Sequence, residues 1–160
     1  MDGPLVALTV VTALGCGLNA GVFFAFSSFV MKALARLQPA QGIAAMQSIN
    51  LVAVTPAFMA TLFGTALACV GLGGWALVDW NDPAGPWLLA GSACYLLGAI
   101  GLTITYHVPR NNALAALQPQ RSEAAGRWAR YVAGWTRWNH LRAAASLAAA
   151  VLFMLGLQMG

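Results

Sequence analysis

Residues 55–80 of this chain read TPAFMATLFGTALACVGLGGWALVDW, and the first charged side chain among them is Asp79. A helix needs about 20 apolar residues to cross the hydrocarbon core of a bilayer, and this stretch provides that length. Thr55 is a favourable N-cap, and Pro56 suits the first turn because its missing N–H would have no helical partner there. The stretch therefore predicts a membrane-spanning helix that begins at Pro56 and ends near Val78.

The rest of the sequence has the same character. Of its 160 residues, 60% are hydrophobic and only 8% are charged, whereas soluble domains carry about 25% charged residues. The charged residues leave apolar intervals that predict four spans, at about 4–31, 56–78, 86–106 and 143–159. The sequence therefore predicts one transmembrane domain over residues 1–160, an all-α integral membrane four-helix bundle.

The basic residues predict the orientation of the bundle. All eight Lys and Arg residues lie in or at the edge of the first and third connections, whereas the second connection, DWNDPAGP, holds two Asp and no base. Basic residues are retained on the cytoplasmic side of a membrane. We therefore expect a protein of a bacterial-type inner membrane, with these two connections in the cytoplasm and both termini outside. The net charge of +4 then follows from topology and gives no support for a nucleic-acid partner.

Both cytoplasmic connections are predicted to contain short interfacial helices. In the first connection, Ile43, Met46, Ile49 and Asn50 share one face of a helix. In the third, residues 127–142 carry Trp and Tyr on one side with Arg beside them. This pattern is typical of a helix that lies at the level of the lipid headgroups.

Pro109 predicts the end of the third span. Proline lacks an N–H and disfavours helix at Val108, so the span is expected to end near His107. A break there would gather His107, Asn111 and Asn112 at the edge of the bilayer, and polar clusters at broken helix ends suit binding sites. The alternative role of these side chains is ordinary capping and turn formation.

The segment before the last span carries the most specific pattern. At 100° per residue, one stripe of a helix holds Trp128, Tyr131, Trp135, Trp138, Asn139, Arg142 and Ser146. Arg142 lies on the hydrocarbon side of the boundary, and a charge at the bilayer centre costs about 2.5 kcal/mol or more. Because Arg142 shares its face with an amide and indoles, we expect it to point inward. With no acid nearby in the sequence, it suits an anionic or enolate-like oxygen on a ligand.

Two features of the first span leave alternatives open. Asn19 shares a helical face with Phe23 and Phe26. Its amide either forms an interhelical hydrogen bond or provides a polar group that binds a ligand in a cavity. Gly17 and Gly21 form a small-residue step that favours close packing within the bundle, and the alternative is a face for a homo-oligomer. The three Cys residues lack metal-binding spacing, so no metal site is predicted.

Four segments of the chain together resemble one known family. They are GVFFAFSSFVM (21–31), AAMQSIN (44–50), VPRNNAL (108–114) and WNHLR (138–142). The family consists of small four-span membrane proteins, and its characterised fungal relatives are anthrone oxygenases. The resemblance implies oxidation of an anthrone-type polyphenolic ring by O₂ to an anthraquinone without a cofactor. The implied partners are therefore an apolar aromatic small molecule, O₂ and the lipid bilayer.

The resemblance also assigns candidate site residues. The family's Asn-Val-Pro-x-Asn step maps to residues 107–111, so this chain has His107 where Asn is usual, and the Asn-x-x-Arg step maps to Asn139 and Arg142. His107 or His140 is the candidate base, because His titrates near neutral pH. The candidate catalytic residues are His107, Arg142, Asn139 and Asn50. The candidate substrate-binding residues are Asn19, Phe23, Phe26, Asn111, Trp135, Trp138 and His140.

Two other functions are compatible with these residues. The first is a non-enzymatic small-molecule-binding or accessory membrane protein that uses the same polar cavity. The second is a bundle in which the polar residues only fix the register of the helices. Fold-level analogy alone does not decide between an enzyme and either alternative, so the geometry of the site has to do so.

Overall fold

The computed structural model describes residues 1–160 as an all-helical chain without strands. Four long apolar helices form a bundle and a fifth, shorter helix covers one end of it, which confirms the predicted fold class and an integral membrane protein. The helices are α1 (Gly3–Ala35), α2 (Pro39–Val52), α3 (Pro56–Val78), α4 (Gly85–Ala115) and α5 (Ala124–Met159).

Helix starts follow the capping residues of the sequence. The Asp2 carboxylate accepts a hydrogen bond from the backbone N–H of Leu5 at 3.1 Å. The Thr55 hydroxyl accepts one from the N–H of Phe58 at 3.2 Å, and Pro56 occupies the first turn of α3. These bonds satisfy N–H groups that have no partner within the helix. The predicted start of α3 at Pro56 is therefore confirmed.

The long helices pack as a ring in which α5 lies between α1 and α4, and α3 lies on the far side between α4 and α1. Two glycines allow close approach of the backbones. Gly98 of α4 faces Ala145 of α5, and Gly15 of α1 faces Thr65 of α3, with no room for an added side chain at either place. Close packing of this kind holds helices together where lipid supplies no hydrophobic drive.

The small-residue step of α1 does not serve this packing. Gly17 and Gly21 are exposed, and a methyl group added to either would meet no atom within 4 Å. The prediction that they pack within the bundle is therefore wrong, because the helix turns this face outward and uses Gly15 instead. A homo-oligomer through the Gly17/Gly21 face stays a prediction.

The third span does not end near His107. Helix α4 continues through Pro109 to Ala115, and Val108 keeps helical backbone angles although it precedes proline. Wide π-helical turns occupy Cys94–Gly101 and Thr103–His107, immediately before the proline. A π-helical turn bonds each N–H to the fifth preceding residue rather than the fourth. This altered ladder leaves space for the proline ring, so the expected break does not occur.

The first connection contains the predicted short helix as α2, but the third contains none of its own. Residues 127–142 and the last span instead form one helix of 36 residues, α5. No proline interrupts it, and its aromatic stripe is buried along most of its length against neighbouring helices. At 1.5 Å per residue α5 is about 54 Å long, so it extends well beyond a hydrocarbon core of about 30 Å.

Candidate functional site

A cavity of about 340 Å³ lies inside the end of the bundle that α2 covers. All five helices contribute to its wall, which is mainly apolar with a few polar side chains. The lining residues are Val22, Phe23, Phe26, Met46, Ile49, Asn50, Ala53, Val54, Thr55, Phe58, Met59, Leu62, Phe63, Thr103, His107, Val108, Asn111, Trp135 and Arg142.

Most of the candidate residues from the sequence lie on this cavity. Helix α1 supplies Phe23 and Phe26, α2 supplies Asn50, α4 supplies His107 and Asn111, and α5 supplies Trp135 and Arg142. Residues that are far apart in the chain thus meet because the helices run alternately up and down. Asn19, Trp138, Asn139 and His140 do not line the cavity.

Arg142 is the central polar group of the cavity. Its side chain is buried, with the residue only 6% exposed. The guanidinium carbon lies 3.9 Å above the centre of the Phe23 ring, and such a cation–π contact stabilises a positive charge. The guanidinium donates no hydrogen bond to the protein, and the buried Nε has no acceptor. The two ion pairs of the chain, Met1–Asp82 and Arg127–Glu123, do not involve Arg142.

Asn139 fixes the position of Phe23, whose ring contacts Arg142. Its Nδ2 donates to the carbonyl oxygen of Phe23 at 2.7 Å and to the Ser27 hydroxyl at 2.7 Å, and all three residues are buried. These bonds tie α5 to the turn of α1 that carries the π-helical segment Phe26–Val30. Asn139 therefore positions the ring beneath Arg142 and does not itself reach the cavity.

His107 is buried on the α4 side of the cavity. Its Nδ1 lies 3.1 Å from the carbonyl oxygen of Leu102, and its Nε2 lies 3.4 Å from that of Trp135. The shorter contact favours the tautomer that donates from Nδ1, which leaves a lone pair on Nε2. The Trp135 ring stands at 90° to the imidazole, with the two ring centres 5.0 Å apart, and limits its rotation.

Asn111 and Asn50 add two neutral donors. The Oδ1 of Asn111 accepts from the Tyr131 hydroxyl at 2.9 Å and from Trp135 Nε1 at 3.0 Å. These two bonds fix the amide, so the Nδ2 of Asn111 is the end that remains available to donate. The buried Nδ2 of Asn50 also has no acceptor. Together with Arg142, these amides complement an oxygen that carries negative charge, within a wall that otherwise suits an apolar ring.

Gln47 belongs to the segment 44–50 that carries the family resemblance, and the structure gives it a positioning role outside the cavity. Its Nε2 donates to the carbonyl oxygens of Leu114 at 2.8 Å and Leu117 at 3.0 Å, at the end of α4. The Leu114 carbonyl also accepts from the N–H of Leu117 at 3.0 Å, so Gln47 binds the turn that ends α4 and fixes α2 as the cover of the cavity. Met46 and Ile49 then form its apolar roof.

Asn19 belongs to the packed core. It is fully buried, and its Nδ2 donates to Gly15 O at 2.9 Å and to the Tyr95 hydroxyl at 2.9 Å. The Tyr95 hydroxyl in turn donates to the carbonyl oxygen of Leu62 at 3.1 Å. Of the two alternatives for Asn19, the structure therefore shows the interhelical hydrogen bond.

Two other candidates also lie away from the cavity. Trp138 packs against Tyr106, with the ring centres 5.2 Å apart. His140 is exposed, in an outer groove with Lys32 and Arg137. The physical reason is that a step of one residue from Asn139 rotates the side chain by 100°, off the buried stripe. His107 is thus the histidine that a cavity ligand can reach.

Comparison with known proteins gives one match. A family model described as anthrone oxygenase matches residues 56–152, which is more than half of the chain. The matched region includes His107, Asn111, Trp135 and Arg142, whereas Asn50 and the phenylalanines of α1 lie before it. No curated protein and no solved structure matches the chain.

Proposed function

Because the chain belongs to the anthrone oxygenase family, we propose that it is a membrane-embedded oxygenase that uses O₂ to oxidise an apolar, anthrone-type polycyclic phenol without a cofactor. One observation carries this proposal: Arg142 is a buried cation without an acceptor in the protein, in the same cavity as His107. A purely structural arginine in this place would be costly, since buried charges are normally paired.

The shape and lining of the cavity support a flat aromatic substrate. Its volume of about 340 Å³ falls in the range of about 300–1,000 Å³ that is typical of small-molecule sites. Phe26 and Trp135 lie with their ring centres 5.7 Å apart on its wall, and Phe23 lies beneath Arg142. Aromatic rings favour stacked or edge contacts with another flat ring.

The first chemical step is proton removal from the methylene carbon of the anthrone. Nε2 of His107 takes this proton, and the electron pair left on carbon delocalises onto the ring carbonyl oxygen to give an enolate. Arg142 pairs with the developing oxyanion, and Asn50 and Asn111 donate hydrogen bonds to it. Donors that are already in place in a water-poor cavity stabilise such charge more strongly than water does.

The second stage consumes O₂. The electron-rich carbon bonds to one oxygen atom, and the outer oxygen receives the proton from the His107 imidazolium, which gives a hydroperoxide on that carbon. Loss of the second C–H proton then breaks the O–O bond and forms the carbonyl group, while the outer oxygen leaves as water. One O₂ is consumed and one water is released for each anthraquinone. The methylene is oxidised and O₂ is reduced, so no further oxidant or reductant is needed.

The experiment is turnover of purified protein in detergent. Anthrone is added, and O₂ uptake and anthraquinone absorbance are followed together, in the presence and absence of EDTA. Protein-free detergent serves as the blank for spontaneous oxidation, and an Arg142→Ala preparation purified in the same way shows whether turnover needs Arg142. We expect equal amounts of O₂ consumed and anthraquinone formed, at a rate well above the blank and unaffected by EDTA.

Three results would contradict the proposal in different ways. Wild-type turnover no faster than the protein-free blank would reject the oxygenase function. Saturable anthrone binding without O₂ uptake would instead support the non-enzymatic binding protein. Loss of turnover in EDTA would reject cofactor independence while keeping the reaction.

A further inference from the structure

A second concave site, which we call the arginine cleft, lies between α4 and α5 outside the cavity. It has a volume of about 410 Å³. The residues that line it are Tyr106, Arg110, Ala113, Leu114, Leu117, Arg127, Arg130 and Tyr131. The oxygenase chemistry uses none of its three arginines.

The positive charge of the arginine cleft is only partly neutralised within the protein. Arg127 pairs with Glu123 at 3.4 Å, and both side chains are more than half exposed. Neither Arg110 nor Arg130 forms an ion pair. The guanidinium of Arg110 lies 4.2 Å from the centre of the Tyr106 ring, which restricts its position. Two helices therefore present a net positive charge toward one concavity.

The floor of the arginine cleft is apolar. Leu114, Leu117 and Tyr131 are buried, and the Tyr131 hydroxyl is already committed to Asn111. A small anion such as free phosphate would use the arginines but not this floor. A ligand that joins an anionic group to a larger organic headgroup would use both.

The position of the cleft along the bundle matches the headgroup layer. Tyr106 stands at the end of the apolar part of α4, and Arg110 follows one helical turn later. On α5, Arg130 precedes the apolar run that begins after Arg142. Tyr is enriched at the boundary between hydrocarbon and headgroups, and basic pockets between spanning helices just beyond it bind anionic headgroups.

We propose that the arginine cleft binds the phosphodiester headgroup of an anionic membrane lipid. The guanidinium groups of Arg110 and Arg130 donate hydrogen bonds to the phosphate oxygens. The planar set of N–H donors on a guanidinium matches the geometry of a phosphate. The headgroup glycerol rests on Ala113 and Leu114, and the acyl chains run past Tyr106 toward the hydrocarbon core. This assignment is independent of the oxygenase function, because it involves a different face of α4 and α5.

The test compares lipid binding by two double variants in a neutral detergent, where no bilayer surface potential acts. Delipidated protein is titrated with phosphatidylglycerol, and bound lipid is counted by native mass spectrometry. The cleft variant is Arg110→Gln with Arg130→Gln. The matched control is Arg36→Gln with Arg121→Gln, which removes the same charge at exposed positions that do not line the cleft. Circular dichroism checks that all three proteins keep their helices.

We expect wild type and the control to bind phosphatidylglycerol equally, and the cleft variant to bind it at least about tenfold more weakly, since the loss of even one hydrogen bond to a charged group costs about 1.5–3 kcal/mol. Phosphatidylcholine and inorganic phosphate at the same concentrations are the comparison ligands, and both should bind far more weakly. Equal loss of binding in both double variants would overturn the site. Equal binding of phosphatidylcholine would overturn its selectivity, and displacement of the lipid by inorganic phosphate would overturn the lipid as the ligand.

Discussion

The two halves of the bundle use the same four long helices for opposite purposes. The packed half, near Asp82, is filled by side chains such as Leu72, Leu88 and Phe153, which have no exposed surface. Even Gly91 there has the Phe153 ring within 3.1 Å of an added methyl group. The cavity half, beneath α2, instead keeps about 340 Å³ of space beside buried donors that have no acceptor.

The difference shows how a small membrane protein sustains a polar site. Close contacts and interhelical hydrogen bonds, such as those of Asn19 and Tyr95, hold the packed half together. Lipid offers no hydrophobic drive for this association, so packing has to provide it. The cavity half can then leave Arg142 without a protein partner. Stability and chemistry are thereby separated along the axis of the bundle. Substitutions in the cavity half should therefore affect turnover, whereas those in the packed half should affect stability.

The largest effect is expected from Arg142→Met, which keeps a long side chain and removes the charge. We expect kcat for anthrone oxidation to fall by roughly 10³-fold, since loss of one oxyanion-stabilising donor costs about 10²–10³. The matched change Arg137→Met, on the exposed side of the same helix, should leave kcat within about twofold of wild type. Steady-state kinetics of both variants check this. A wild-type kcat in Arg142→Met would show that Arg142 does not contribute to the chemistry of the cavity half.

The next effect is expected from His107→Asn, which removes the imidazole and keeps an amide donor for the Leu102 carbonyl. Loss of the base should lower kcat by about 10²-fold, within the range for general base catalysis. A slower proton transfer should also increase the rate difference between anthrone with hydrogen and with deuterium at the methylene carbon.

The control for this histidine is His140→Asn, because His140 is exposed in the outer groove. Its kcat and isotope effect should equal those of wild type. If His107→Asn also behaved like wild type, the proton would have to pass to another group and His107 would be structural.

A smaller effect is expected from Asn50→Ala, which removes one neutral donor. A hydrogen bond to a charged group contributes about 1.5–3 kcal/mol, so kcat should fall about tenfold or somewhat more. The control Asn112→Ala removes an exposed amide from α4 and should have no effect. A change in KM alone would show that Asn50 binds the substrate without acting on the enolate.

The packed half should respond in stability and not in turnover. Leu72→Ala removes a fully buried side chain, and we expect the free energy of unfolding to fall by about 2–5 kcal/mol. The kcat of the folded protein should stay within about twofold of wild type. Leu67→Ala on the same helix changes a residue that is 74% exposed, and it should alter the melting temperature little. A large loss of kcat in folded Leu72→Ala would show that the two halves are coupled.

The sequence predicted those features that the hydrocarbon core itself dictates. Charged residues cannot lie in lipid at low cost, so the intervals between them gave the four spans. Thr55 and Pro56 gave the start of α3, since capping is a local property. The stripe that contains Trp135, Asn139 and Arg142 is buried as expected, because its polar members had to face inward.

Other features depend on neighbours that a single sequence does not identify. Phe58 and Phe63 both lie on the cavity wall. The sequence suggested no such role, because nothing distinguishes them from the other apolar residues of α3. His140 lies next to Asn139 in the chain, but Asn139 is buried between helices whereas His140 is exposed on the outside of the bundle. Helix α4 continues past Pro109 after π-helical turns, which have no local sequence signal comparable to a capping residue.

Those π-helical turns make the length of α4 as important as its side chains. Ile104 lies in the turn Thr103–His107, and the residue is 58% exposed. Its deletion would remove no contact with a ligand. It would convert the wide turn to an ordinary one, and because a π-helical turn absorbs about one extra residue, the helix segments on either side would stay aligned. Deletion of Arg110, in the ordinary α-helical part of α4, would instead rotate Asn111 by about 100° against His107. For this helix, the effect of a gap in an alignment depends on whether the gap falls within a π-helical turn.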